Sequence, residues 1–299
     1  MSEIDFSIDE TDPDVTVLVG NISILKAHRV LQHYLETCQQ DSGSLEKTLV
    51  EINNMLCSRD PKKKKKEDQA EREDGLFSQV LFDIVMKIPH SHSAQDHLNL
   101  AKLSALMDDK FTVWPVKIFS RSSSDKCSIK GYEFHARMTY FYWFMVERCG
   151  VINLEPGTPE EQHSINEYAF LARLAAAGVN DDIKEAVSTL QAILENGADY
   201  EDNDPLYNGR IAEATMWNIY SGHWLIKEVV RSPIAADTST LGAFSPGTMY
   251  NGPILGLERW RFWKKALEVA RESSRLNDET RSLTKKAVDL MNALELLNS

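Results

Sequence analysis

The chain has 299 residues, 42% hydrophobic and 26% charged, which is the balance of a globular protein able to bury a sizeable core. Its formal net charge of −12 argues against nucleic acid as the main ligand, because a phosphate-binding surface needs a basic excess. No apolar run approaches the roughly 20 residues that span a bilayer, so no membrane partner is expected. Four scattered cysteines without a C-x-x-C pair, and no signal sequence, predict an intracellular, reduced protein, cytoplasmic or nuclear.

Residues 1–14 carry Glu3, Asp5, Asp9, Glu10, Asp12 and Asp14 without a base, and are expected to form a disordered or loosely held acidic tail. The β-branched run 15–19 reads as extended chain or an early helical turn. Apolar residues at helical spacing, Ile22, Leu25, Leu31, Tyr34 and Leu35 and then Leu45, Leu49, Ile52 and Leu56, predict two helices in a hairpin. The charged segment 59–74 has almost nothing to bury and reads as a mobile loop. Within it, Pro61 precedes Lys62, Lys63, Lys64, Lys65 and Lys66. That run is either a nuclear import signal for an acidic importin groove or a plain solvated loop.

Leu76, Phe77, Val80, Leu81, Ile84, Val85 and Ile88 predict a helix that Pro89 helps to end. His90, His92 and His97 follow at no known ligand spacing, so no metal is predicted and loop histidines exposed to water are expected. A helix over 98–107 and a stiff connection over 111–120 come next. The stretch 131–148, with Tyr132, Phe134, Tyr140, Phe141, Tyr142, Trp143 and Phe144, suits a central core helix, the alternative being an aromatic-lined pocket. A turn-rich break at 150–158 suggests a boundary between two lobes, within a helical body reaching from 15 to 299.

Thr158, Pro159, Glu160 and Glu161 form a helix start, predicting a helix to 177. On it Asn166 and Arg173, seven apart, align with Ala169 and Ala176 and are candidate ligand-binding groups on a strip of small side chains. A helix over 181–194 buries Ile183, Ala186, Val187, Leu190 and Leu194. The segment 210–231 is apolar nearly all round, and one strip of it reads Glu213, Trp217, Tyr220, Trp224 and Glu228. A long loop over 232–250 leads to the segment 251–265, where Phe262, Trp263, Ala266, Leu267 and Ala270 make an apolar arc bordered by Trp260. Arg259 falls inside that arc and needs a buried partner, and Glu213 and Glu228 are the leading candidates to neutralise Arg259 and Arg173. The last helix is predicted over 278–297.

Glu258-Arg259-Trp260 followed by Phe262-Trp263-Lys264, together with the runs 166–174 and 214–222, resembles a fungal family known only as domain of unknown function 3632. The resemblance covers 158–265. It implies a fungal origin and a mostly helical fold, and no activity. The chain itself holds no Gly-x-Ser-x-Gly elbow, no His-Glu-x-x-His, no nucleotide-binding glycine run and no internal repeat.

The expectation is therefore an all-α, irregular array of about nine to eleven helices joined by long loops. Its function reads first as an interaction or regulatory scaffold with a protein partner. The alternative is an enzyme or binding protein for a small aromatic or isoprenoid metabolite, using Asn166, Arg173, Glu213, Trp217, Tyr220, Arg259 and Trp263. No cofactor is implied.

Overall fold

The computed structural model describes residues 4, 6–38, 44–55, 67–98, 157–176, 183–196, 206–231 and 244–298. Among the described residues there are ten helices and no strand, an irregular all-α array. None of these helices is long and apolar enough to cross a membrane. The lysine run 62–66, the helix expected over 98–107, the connection 111–120 and the aromatic stretch 131–148 lie outside the described residues, apart from Leu98. The chain divides into two compact units, Met1–Ile152 and Asn153–Ser299.

The described residues of the first unit form α1 (Pro13–Thr16), α2 (Ile24–Thr37), α3 (Ser44–Met55), α4 (Glu67–Lys87) and α5 (Ser93–His97). Ser23 caps α2 by accepting from the Lys26 amide at 3.2 Å, and α2 packs against α1, α3 and α4. The apolar stripe of α4 is the one the sequence predicts, with Val80, Leu81, Ile84, Val85 and Ile88 all buried. Two expectations need correction. Residues 67–74 are the first two turns of α4 rather than part of a charged loop. Glu, Gln, Ala and Arg are good helix formers, and Glu73 turns inward to accept from the Asn21 amide. Of the histidines after α4, His90 is buried rather than exposed, and His92 is half-buried and caps α5 through Nδ1, which accepts from the Ala94 amide.

In the amino-terminal segment, Asp12 caps α1, Glu10 pairs with Arg29 at 2.8 Å, and the Ser7 carbonyl accepts from Lys87. These ties hold the part of the acidic stretch nearest α2 and α4.

The second unit holds α6 (Pro159–Ala176), α7 (Lys184–Leu190), a π turn (Gln191–Glu195), α8 (Tyr207–Arg231), α9 (Leu257–Arg271) and α10 (Asp278–Asn298). Helix α8 is the common wall, packed against α6, α7, α9 and α10. Its partners fix the direction of packing. The Asn277 amide donates to Asn208 Oδ1 at 3.0 Å, the Thr215 and Thr284 hydroxyls meet at 3.4 Å, and Gly222 faces Leu290 and Leu294. These contacts climb α8 and α10 together in steps of seven residues, so the two helices run side by side in the same direction with a coiled-coil-like seam.

At Gly222 the contact is close enough to decide what fits. A Cβ there lies 3.2 Å from the tip of Leu294. Gly222→Ala gains about 1 kcal/mol of helix propensity and asks only a flexible leucine tip to move, so its melting temperature should stay near that of the wild type. Gly222→Val adds branched bulk to the same seam and should cost about 1–3 kcal/mol. Chemical denaturation of the two variants checks the ordering; equal stability of both would contradict this seam.

Candidate functional site

The polar centre of the second unit grows from the end of α7. The helix widens into the π turn, and the extra residue per turn brings Ile193, Leu194 and Glu195 inside together, which a regular helix edge would not do. Glu195 is fully buried. Opposite it, α9 begins after Gly256, whose φ of +145° is tolerated by glycine and by few other residues. The first turn of α9 then points Arg259 inward, also fully buried.

Arg259 and Glu195 form a two-pronged ion pair, Nε to Oε1 at 2.6 Å and Nη2 to Oε2 at 3.0 Å. Each partner is then completed by other groups. Arg259 Nη1 donates to the carbonyls of Phe244, at 2.7 Å, and Ile254, while Nη2 also donates to the Ser245 carbonyl at 3.3 Å. All five guanidinium N–H groups are therefore used. Glu195 Oε1 also accepts from the Trp263 indole at 2.6 Å, and Oε2 from the Gly247 amide at 2.7 Å, which fills the four acceptor positions of the carboxylate. The Glu195 carbonyl accepts from the Met249 amide, and Asn196 Oδ1 from the Thr248 amide.

The loop 244–256 is thus strapped to the π turn and α9 through one ion pair. Tyr250, buried and tilted against Phe262 at 5.1 Å, closes its side. Gly247 has no room for a side chain: a Cβ there would lie 2.5 Å from Glu195 Cβ and 2.8 Å from its backbone carbon.

A second polar seam joins α6 to α8. Thr158 Oγ1 accepts from the Glu161 amide at 3.3 Å, while Glu161 reaches back to the Gly157 amide at 2.7 Å and takes the Asn208 side-chain amide on its other oxygen. One turn along, Ser164 donates to Glu213 Oε1 at 2.6 Å, and Arg210 donates to Oε2 at 3.1 Å. Burial pushes the Glu213 carboxyl above its ordinary value of 4.5. The Arg210 charge and the Ser164 and Arg210 hydrogen bonds pull it back, and the neighbouring Glu161 charge pushes it up again. Further along, the Arg173 guanidinium lies 3.5 Å from the centre of the Tyr220 ring and donates to the Ala169 carbonyl.

The residues singled out in the sequence accordingly fall into two groups organised by different carboxylates. Arg259 and Trp263 belong to Glu195. Asn166, Arg173, Glu213, Trp217 and Tyr220 lie on α6 and α8, where Asn166 accepts from Gln162 at 2.9 Å and Trp217 is fully buried. The expected partners of Arg259, Glu213 and Glu228, are replaced by Glu195, since no N–H of Arg259 is left for either. The inward face of α9 also differs from the predicted arc. Arg259, Trp260, Trp263, Leu267 and Ala270 are buried, while Phe262 and Ala266 are only half-buried.

Glu161 and Asn208 escaped the sequence reading as site residues, although Thr158-x-x-Glu161 is a capping box legible at that spacing. An open basin of about 580 Å³ lies elsewhere, at the turn between α9 and α10, and none of the selected residues lines it.

The family described as Protein of unknown function (DUF3632) matches residues 79–267. That is more than half of the chain, and the chain belongs to this family. The match begins well upstream of 158, so it takes in the second half of α4, which the motif resemblance left unmatched. No curated protein and no solved structure matches the chain.

Two outcomes follow from these seams. Arg259→Ala and Glu195→Ala should each cost roughly 3–5 kcal/mol, because each strands a buried charge, and the double variant should cost much less than their sum. Denaturation curves for the full cycle test this, and additive costs would contradict a direct pair. For Glu213 the folded carboxyl binds its proton more tightly than the unfolded one, so stability falls as pH rises from 4.5 through the raised folded value. Glu213→Gln removes that loss. Its melting temperature relative to wild type should therefore climb across this window, and a flat difference would show that the carboxyl is not strained by burial.

Proposed function

We propose that this member of the DUF3632 family acts as a helical interaction or regulatory scaffold. The observation that supports this reading is the mutual saturation of Arg259 and Glu195. An anionic ligand at Arg259 must displace one of these partners inside the core, and each stranded polar group costs about 1–3 kcal/mol. The metabolite-binding alternative carries that penalty. The scaffold reading does not, because the pair simply fixes which face of α9 turns inward.

The opposite face of α9 carries Arg261, Lys265 and Val269 at i, i+4 and i+8. Lys265 is 72% exposed and Val269 is 63% exposed. Arg261 and Lys264 share Glu295 of α10, at 2.6 and 2.9 Å, so the base of this face is braced. Among the described residues Lys265 is paired only with the half-exposed Glu268, at 3.2 Å, a surface pair that gives way readily, and Val269 stands at the end of the strip; two basic residues leading to an exposed valine suit a protein segment carrying acidic and apolar residues.

The test compares the wild type with a Lys265→Glu, Val269→Asp variant, each fused to a proximity-labelling enzyme in its native cells. The variant should keep the wild-type melting temperature and lose a defined set of labelled proteins. An identical labelled set, together with a small-molecule extract that raises the melting temperature of both chains by several degrees, would overturn the scaffold reading in favour of metabolite binding.

A further inference from the structure

The turn between α9 and α10 holds an exposed serine, Ser274, at the edge of the open basin, which is lined by Arg271, Glu272, Ser274, Arg281, Ser282 and Lys285. Arg271 stands three residues before Ser274 and Arg275 one residue after it, the flanking charge that a protein kinase with an acidic substrate groove reads. We propose that Ser274 is a phosphorylation site whose phosphate docks into the basin against Arg271, Arg281 and Lys285.

The chemistry of the basin suits a dianion. Arg271 is paired with Glu272 at 2.9 Å, and Arg281 with Asp278 at 2.9 Å, but both carboxylates stand in water, Glu272 at 73% exposure and Asp278 fully exposed. Such pairs are worth little and give way to a more highly charged partner. Arg281 is already held in place, donating Nε to the Arg271 carbonyl and Nη2 to the Ser273 and Leu276 carbonyls, so its guanidinium meets the phosphate from a fixed position. Ser273, the neighbouring hydroxyl, is turned to local work: its Oγ accepts from the Arg275 amide.

In the transfer itself the Ser274 hydroxyl oxygen attacks the γ-phosphorus of a nucleoside triphosphate. The Oγ–P bond forms as the bond from that phosphorus to the bridging oxygen breaks. The nucleoside diphosphate leaves, and the hydroxyl proton passes to a carboxylate of the kinase. The new phosphate bridges the end of α9 to the first turns of α10, so it should tighten the turn.

The experiment incubates the full chain with ATP and an arginine-directed protein kinase, maps the product by mass spectrometry and melts it. The expected result is phosphate on Ser274, lost in Ser274→Ala and strongly reduced in Arg271→Ala, with the melting temperature raised on the order of 2–4 °C. Lys285→Ala should still be phosphorylated and should lose most of that rise. Phosphate found on Ser273 or Ser282 instead, no incorporation, or a phosphorylated Ser274 whose melting temperature is unchanged would each overturn the proposal.

Discussion

A guanidinium and a carboxylate taken fully out of water lose hydration worth several kcal/mol each, and only close pairing with complete hydrogen bonding compensates. Arg259 and Glu195 meet that condition, and much of the second unit is arranged around it. The π turn delivers Glu195. Gly256 lets the chain enter α9 at the angle that turns Arg259 inward. Gly247 lets a backbone amide approach the carboxylate where a Cβ would collide with it. The Phe244, Ser245 and Ile254 carbonyls, which lie in a loop without regular structure, find their donor in the same guanidinium. The loop and the ion pair depend on each other: without the loop the arginine lacks acceptors, and without the arginine those carbonyls lack a donor.

Helix α8 distributes this constraint. The α6 seam and the α10 seam both climb α8 in its own direction, so the three helices run parallel and the chain must run back between one and the next. Parallel neighbours cannot be joined by short turns, which gives a physical reason for the length of the connections in this unit. Two buried carboxylates of this unit are held by different partners. Glu195 meets a fixed guanidinium inside the core. Glu213 is held by a serine hydroxyl and by Arg210, which is about a quarter exposed, so burial dominates and the carboxyl holds its proton more firmly.

Helix placement is largely legible in the sequence: apolar spacing marks α2, α4 and α10, the cap at Thr158 marks α6, and an almost wholly apolar run marks α8. The start of α4 is not, since charged residues with high helix propensity carry no apolar signal until Glu73 is seen to turn inward. The need of Arg259 for a buried partner could be read from its place among aromatic residues. Its identity could not: Glu195 lies one position beyond the last apolar residue of a regular helical stripe, and only a widened turn carries it inside. The buried face of α9 was displaced from the predicted arc for a related reason. A hydrophobic wheel ranks Phe262 above Arg259, whereas the ion pair decides the rotation of the helix.

Every N–H of Arg259 is held by the fold. Nitrogen-resolved NMR of the arginine side chains tests it directly, since a solvated guanidinium rotates about its Cζ–N bonds and averages its Nη signals. Arg259 should show resolved Nη protons, exchanging slowly with water and shifted on Glu195→Gln. A single averaged, fast-exchanging Nη signal from Arg259 in the wild-type chain would contradict it.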